Sequence, residues 1–153
     1  MCDPCLVPET RKRIDNRDYE AVFAHGGCFH FALRLHERFT YTIRGIRASP
    51  DGNSLSHVWC LKTDTCKGID VRGFYEEDVI VQLAGAKGAD KLSVSADEVR
   101  AVIAAKCYPA DLDKEMRDLA DWVFDTHERF LLAKPSSPGL YEQFCKNYVE
   151  PPN

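Results

Sequence analysis

The chain has 153 residues, of which 44% are hydrophobic and 29% charged, and its formal net charge is −4. This length predicts one domain, residues 1–153, that buries its core without disulfides or metals. The acidic balance argues against a nucleic-acid partner, because phosphate binding needs a basic surface. No apolar run approaches the ~18 residues of a membrane span, and the first residues contain no signal-type apolar region, so we expect a cytoplasmic protein without a membrane partner.

Cysteine is unusually frequent, with seven residues. In a reducing compartment we expect all seven to be thiols. Cys2 and Cys5 form a CxxC pair, but no second CxxC or paired histidine follows at zinc-finger spacing. The HExxH and zinc-deaminase patterns are also missing from the sequence. The sequence therefore predicts no metal site and no cofactor.

The first half of the chain predicts a helix pair followed by strands. A short helix is expected over residues 18–24, and the loop His25-Gly26-Gly27 leads into a second helix that begins near Cys28 and ends near Phe39. Polar residues form only a narrow stripe on this second helix, which predicts a central, largely buried position. Three β-rich runs follow, over residues 41–48, 57–62 and 67–72, and residues 63–66 predict a hairpin loop between the last two.

The second half is predicted to be helical. Residues 74–85 are ambiguous, because Val79-Ile80-Val81 favours a strand whereas the acidic residues before it favour a helix start. Ser95 and Glu98 form a capping box that begins a helix ending near Cys107. A longer helical pattern covers residues 110–132, and a short one covers residues 141–147. The absence of βαβ alternation predicts an α+β fold in which a central helix packs on a small antiparallel sheet. The helical extension is then residues 95–147.

Cys28 is the first residue with a pattern that points to chemistry. A thiol at a helix N-terminus is stabilised as thiolate by the partial positive charge there. Gly27, directly before it, lets the backbone approach a substrate, and the Cys28 N–H is placed to donate to an oxyanion. Taken singly, Cys28 also fits a small buried hydrophobic residue, which is the commonest role of a free cysteine.

His57 is the candidate general base for the Cys28 thiol, and Asp70 is the candidate orienter, the carboxylate that orients the imidazole ring of His57. His57 begins a strand, and Asp70 lies on the next antiparallel strand. If Lys62 pairs with Lys67, Asp70 is the same-face diagonal neighbour of His57 and within reach of its ring. Taken singly, each residue also fits a plain surface role. Together with Cys28 they provide nucleophile, base and orienter.

These segments resemble a known superfamily. His25-Gly-Gly-Cys-Phe-His-Phe-Ala-Leu-Arg-Leu, Ser56-His-Val-Trp and Gly68-Ile-Asp-Val-Arg-Gly resemble the core of papain-like enzymes. The order Cys, His, Asp is most similar to the transglutaminase-like and NlpC/P60-like members. The resemblance covers residues 24–73 as the catalytic core. It implies that Cys28 is the nucleophile, His57 the general base and acid, and Asp70 the orienter.

The sequence departs from papain itself before the nucleophile. Papain has a glutamine there that completes its oxyanion hole, whereas residues 21–24 are Ala-Val-Phe-Ala. His25 is the nearest polar side chain and one possible donor, and a second backbone N–H is the other. Trp59 is a possible wall of the site or a core residue. Arg72 is a possible ligand for a substrate carboxylate or a strand-end charge.

Two classes of function fit these residues. The first is a cysteine-dependent acyl-transfer enzyme that acts on an amide bond in a peptide, protein or small molecule, through a thioester. Peptidase, amidase, deamidase and transglutaminase activities all remain open, as does the oligomeric state. The second is a non-catalytic binding module with a papain-like fold. A redox or metal protein that uses Cys60 and Cys66, or Cys28 with His57, is a third alternative.

Overall fold

The computed structural model describes residues 4–24, 26–47, 54–62 and 67–126. These residues form an α+β fold, as the sequence predicts. The elements in chain order are α1 (Leu6–Asp15), α2 (Tyr19–Ala24), α3 (Cys28–Phe39), β1 (Thr42–Arg47), β2 (Leu55–Lys62), β3 (Lys67–Asp70), β4 (Gly73–Tyr75), α4 (Glu77–Leu83), β5 (Leu92–Val94), α5 (Ala96–Ala105) and α6 (Ala110–Thr126).

The five strands form one antiparallel sheet in the order β4-β3-β2-β1-β5. Lys62 pairs with Lys67, so the predicted register of the β2–β3 hairpin is confirmed. The prediction that the second strand of this hairpin continues to residue 72 is wrong. β3 ends at Asp70, because Val71 and Arg72 form a turn and Asp70 then pairs with Gly73 of β4.

The central position predicted for α3 is confirmed. Seven of its 12 residues are buried, and it packs between the sheet and the helices α5 and α6. Aromatic and aliphatic side chains join these layers in one main core, whose members include Phe23, Phe31, Ile43, Leu112 and Phe124. Burial of such side chains is the largest favourable contribution to folding.

A smaller core lies on the opposite face of the sheet. Trp59 belongs to it, whereas its neighbours Val58 and Cys60 belong to the main core, as alternation along a strand requires. The helix α4 covers this face with Ile80 and Val81. The strand preference of residues 79–81 was therefore misleading, because burial against the sheet accounts for their apolar character in a helix.

The helical second half begins as predicted. The Ser95 side chain accepts a hydrogen bond from the Glu98 backbone N–H at 3.1 Å, which confirms the cap of α5. The helix α6 is described to Thr126, and residues 127–132 and 141–147 lie outside the described residues. α1 and β5 were not predicted. Within the described residues, no helix combines the length and apolar character needed to cross a bilayer.

Candidate active site

Two glycines place Cys28 at the start of α3. Gly26 has φ +98°, a left-handed conformation that glycine adopts without strain. Gly27 donates its N–H to the Val22 carbonyl at 2.9 Å, and a Cβ on Gly27 would lie 2.4 Å from that oxygen. The turn from α2 into α3 is therefore tight only because both residues lack side chains.

The backbone of Cys28 provides a hydrogen-bond donor at this helix end. Cys28 is the first residue of α3, so no helical carbonyl precedes it to accept its N–H. That N–H makes no hydrogen bond with any residue that the structure describes. The side chain beside it is 4% exposed. A thiolate here lies at the positive end of the helix dipole, next to an unused N–H.

An irregularity in the sheet precedes His57. Ile46 pairs with His57, but the next pair is Arg47 with Leu55, so Ser56 is an extra residue in β2. The Ser56 hydroxyl donates to the Ile46 carbonyl at 3.4 Å. A β-bulge changes the direction of the side chains next to it, and bulges are frequent beside active sites. The alternation in the sequence did not reveal this bulge.

Cys28 and His57 interact directly. Burial alone would raise the pKa of the Cys28 thiol, but the charge of His57, a hydrogen bond with its ring, the Val58 backbone N–H and the charge of Lys106 together hold that pKa below its ordinary value. Burial alone would lower the pKa of His57, but the charge and hydrogen bond of Cys28, and then the charge of Asp70, raise it. Both directions favour a thiolate–imidazolium pair.

The other ring nitrogen of His57 faces Asp70 across a gap. Nε2 of His57 lies 4.0 Å from Oδ2 of Asp70, and this buried nitrogen has no hydrogen-bond partner among the described residues. Nδ1 is therefore the nitrogen available to the Cys28 thiol. Because 4.0 Å exceeds a hydrogen bond, Asp70 acts on the ring through its charge in this conformation. Hydrogen bonds of this kind are often long in unliganded enzymes.

Arg72 is the closest partner of Asp70. Its Nη2 lies 2.7 Å from Oδ2 of Asp70, and its Nε lies 3.2 Å from the same oxygen. The Arg72 backbone N–H donates to Oδ1 at 2.8 Å. The two contacts of the guanidinium with Asp70, here called the Arg72 fork, fix the carboxylate. They also place a positive charge near His57, which opposes protonation of the ring. The Arg72 guanidinium therefore binds Asp70, a contact within the site rather than with a substrate carboxylate.

Trp59 lies beside the His57 ring, with centroids 6.0 Å apart. The indole is completely buried, and its Nε1–H donates to Oε2 of Glu77 at 2.9 Å. Arg44 donates to the same oxygen at 2.9 Å. Trp59 therefore forms a fixed wall behind the imidazole and has no exposed surface for a substrate. The remaining candidate donor, His25, lies outside the described residues.

Two residues near Cys28 were missed by the sequence analysis, and both come from the turn between α5 and α6. Lys106 contributes a positive charge to the surroundings of Cys28, and its Nζ lies 5.0 Å from the centre of the Phe29 ring. The Tyr108 hydroxyl donates to the Gly26 carbonyl at 3.4 Å, a contact between residues 82 positions apart. No local pattern in the sequence predicts contacts between residues so far apart along the chain.

His30 lies on the polar stripe of α3 and is nevertheless buried. Its side chain is 1% exposed, and its Nε2 lies 2.8 Å from Oδ1 of Asp113. The polar stripe of α3 is therefore only partly exposed to solvent, because α6 and α5 pack against it: the His30 end is buried, whereas the Arg34 and Glu37 side chains are 31% and 34% exposed. Arg34 on the same stripe donates to Asp121 at 2.8 Å, and Glu37 pairs with Arg100.

The cysteines divide into free and bonded residues. Cys60 is a free, completely buried thiol that donates to the Ala32 carbonyl at 3.2 Å. Burial raises its pKa well above the ordinary value. Cys5 is an exposed cysteine outside any disulfide. Cys107 is disulfide-bonded, so the expectation of seven thiols is wrong. Cys2 and Cys66 lie outside the described residues.

No group of three or more His, Cys, Asp or Glu side chains in the described ranges has the arrangement of a metal site. The chain matches no protein-family model, no curated protein and no solved structure. The candidate site is therefore defined by its own residues. They are a buried thiol at a helix N-terminus, an imidazole that forms a hydrogen bond with this thiol, and a carboxylate that faces the other side of the imidazole.

Proposed function

We propose that this protein is a cysteine-dependent acyl-transfer enzyme that acts on an amide bond through a thioester. The observation that carries the proposal is the arrangement of three buried side chains: Cys28 is the first residue of α3, His57 interacts with it, and Nε2 of the same ring lies 4.0 Å from Oδ2 of Asp70. In agreement with this arrangement, Cys28 and His57 each move the pKa of the other toward the charged form. Reactive cysteines are found where a helix end and a nearby cation stabilise the thiolate. Both features meet at Cys28.

The proposed reaction has two steps. The Cys28 thiolate attacks the amide carbonyl carbon, a C–S bond forms, and the carbonyl π electrons move to the oxygen. The tetrahedral intermediate collapses, the C–N bond breaks, and the proton held by His57 passes to the leaving amine. Water or an amine then gives a proton to His57 and attacks the thioester, which releases Cys28 as thiolate.

Asp70 is proposed to favour the protonated state of His57 and to orient its ring. The negative charge of Asp70 raises the pKa of His57, so that the imidazolium is available to the leaving amine. The Arg72 fork keeps the carboxylate in place. This order of nucleophile, base and carboxylate agrees with the resemblance to papain-like enzymes of the transglutaminase-like and NlpC/P60-like types.

The substrate is proposed to be a peptide, a protein or a small amide. Hydrolysis by water would make the protein a peptidase, amidase or deamidase, and transfer to an amine would make it a transglutaminase. Because the proposed steps use only the thiol, the imidazole and the carboxylate, they require no cofactor. We place this chemistry in the cytoplasm, where Cys28 would stay reduced; the disulfide at Cys107 is the observation that opposes this placement.

A binding module with a papain-like fold is the second candidate. The observation that favours it is the burial of Cys28 and His57, which are 4% and 5% exposed. A substrate carbonyl needs an approach to the sulfur, and a protein that binds partners without chemistry does not. The two candidates differ in one measurable property, the reactivity of Cys28.

The test is acylation by an activated ester. The protein is incubated with p-nitrophenyl acetate near neutral pH, and the acetylated residue is located by peptide mass spectrometry. We expect a hydroxylamine-sensitive acetyl thioester on Cys28, which Cys28→Ala abolishes and the matched core variant Cys60→Ala retains. Absence of acetylation at Cys28 in the folded protein would rule out the enzyme and leave the binding module.

A further inference from the structure

A thioester mechanism needs a second donor for the oxygen of the tetrahedral intermediate. The Cys28 N–H at the start of α3 provides one donor. The turn of helix before it, which is part of α2, has the sequence Ala-Val-Phe-Ala over residues 21–24 and provides no polar side chain. Sites of this kind generally combine a backbone N–H with a second N–H or O–H, because each donor stabilises the developing charge.

The turn between α5 and α6 brings a hydroxyl into the neighbourhood of Cys28. Cys107 has φ +60°, which ends the helical path of α5 and turns the chain toward Tyr108. The Tyr108 hydroxyl lies 3.4 Å from the carbonyl oxygen of Gly26, two residues before the nucleophile. The Tyr108 ring packs edge-on against His30 with centroids 5.0 Å apart. The ring is thus fixed by packing, while its hydroxyl makes a long hydrogen bond.

We propose that Tyr108 is a catalytic residue that donates the second hydrogen bond to the oxyanion. This inference rests on the proposed function. When the Cys28 thiolate forms the C–S bond, the carbonyl oxygen gains the electron pair of the π bond. The phenolic O–H then leaves the Gly26 carbonyl and donates to this oxygen, next to the N–H of Cys28. No proton is transferred from Tyr108, and the bond reverses when the intermediate collapses.

The chemistry of the phenol suits this role. A donor beside a thiolate must keep its proton while the thiol loses its own. Burial, and then the negative charges of Cys28 and Asp113, raise the pKa of Tyr108 to about 12. Tyr108 therefore stays protonated over the whole pH range in which Cys28 is reactive. The weak bond at 3.4 Å is broken at small cost when a charged acceptor becomes available.

The test compares two reactions of the same thiol in Tyr108→Phe. Acylation by p-nitrophenyl acetate passes through an oxyanion, whereas alkylation by iodoacetamide displaces iodide at a saturated carbon and does not. Phenylalanine keeps the ring packing on His30 and removes only the hydroxyl. We expect acylation of Cys28 to fall by about 10- to 100-fold, somewhat less than the usual loss for one oxyanion donor, because the ester is activated. Alkylation should remain within about twofold of wild type.

The control is Tyr41→Phe, which removes a hydroxyl beside Phe39, away from Cys28. It should leave both rates unchanged. Equal losses of acylation and alkylation in Tyr108→Phe would overturn the proposal, since the hydroxyl would then support the thiolate or the fold. Unchanged acylation would overturn it as well. These two outcomes overturn the role of Tyr108 alone, because wild-type Cys28 is still acylated in both. If wild-type Cys28 is not acylated at all, the proposed function itself is overturned.

Discussion

Two buried histidines in this molecule have similar surroundings, yet their pKa values are shifted in opposite directions. The side chains of His30 and His57 are 1% and 7% exposed, and each has one buried ring nitrogen without a hydrogen-bond partner among the described residues. Each also faces one carboxylate, Asp113 or Asp70. Yet the pKa of His30 is lowered and that of His57 is raised.

The difference comes from the other charges around each ring. At His30, burial outweighs the hydrogen bond with Asp113, and the charges of Arg117 and Lys106 also oppose protonation. At His57, the same burial is outweighed by the Cys28 thiolate together with Asp70. One carboxylate is thus insufficient to keep a buried imidazole charged. The thiolate is the group that distinguishes the candidate active site from a structural contact.

Asp70→Asn is expected to have the largest effect among three variants that test this comparison. The change removes the negative charge and leaves Arg72 in place, so the pKa of His57 falls and that of Cys28 rises. We expect thioester formation near neutral pH to fall roughly 10- to 1,000-fold, less than the ~10⁴-fold loss that the same change causes in the serine-protease triad, because a thiol depends less on its base. The alkylation profile of Cys28 should move to higher pH. Overlapping profiles of variant and wild type would remove Asp70 from the site.

Arg72→Gln should act in the opposite direction and more weakly. Because the charge of Arg72 lowers the pKa of His57, its removal raises that pKa and stabilises the thiolate. The alkylation profile of Cys28 should move to lower pH, with the rate near neutral pH within about tenfold of wild type. Arg38→Gln, which removes a pair with Asp121 and Asp125 on α6, is the matched control. A shift to higher pH in Arg72→Gln would mean that the fork acts mainly by orienting Asp70.

Asp113→Asn should leave the thiol chemistry unchanged. The variant removes the negative charge that faces His30, so the pKa of His30 falls further, which NMR of the ring protons can follow. Weakening of this partly buried contact should lower the free energy of unfolding by about 1 kcal/mol. Iodoacetamide alkylation of Cys28 should remain within about twofold of wild type. A larger change would show that the two histidines belong to one coupled site.

Local patterns were sufficient to predict the elements that carry the proposed triad. The narrow polar stripe of α3, the two glycines before Cys28 and the β-rich runs around His57 and Asp70 all act within a few residues. The register of the hairpin followed from loop length alone. These signals place a nucleophile, a base and a carboxylate on neighbouring elements without knowledge of the tertiary contacts.

The remaining features depend on contacts between distant segments. The bulge at Ser56 exists only relative to the partner strand β1. Likewise, the burial of His30 depends on Asp113 of α6, and Tyr108 reaches Gly26 only because α5 and α6 pack against α3. The Arg72 fork could have been anticipated, because an aspartate that accepts the N–H two residues later is a common turn signal. The tertiary contacts, in contrast, have no local pattern.

The central claim is that Cys28 and His57 form an ion pair, and the pH dependence of Cys28 alkylation tests it most directly. Labelling with iodoacetamide is followed for each cysteine by mass spectrometry, in wild type and in His57→Gln. We expect Cys28 to react far faster than Cys60 near neutral pH, with a midpoint below the ordinary thiol pKa of about 8.5. In His57→Gln the midpoint should move above that value, because burial then dominates. Equally slow labelling of Cys28 and Cys60 in the folded wild type would contradict the ion pair.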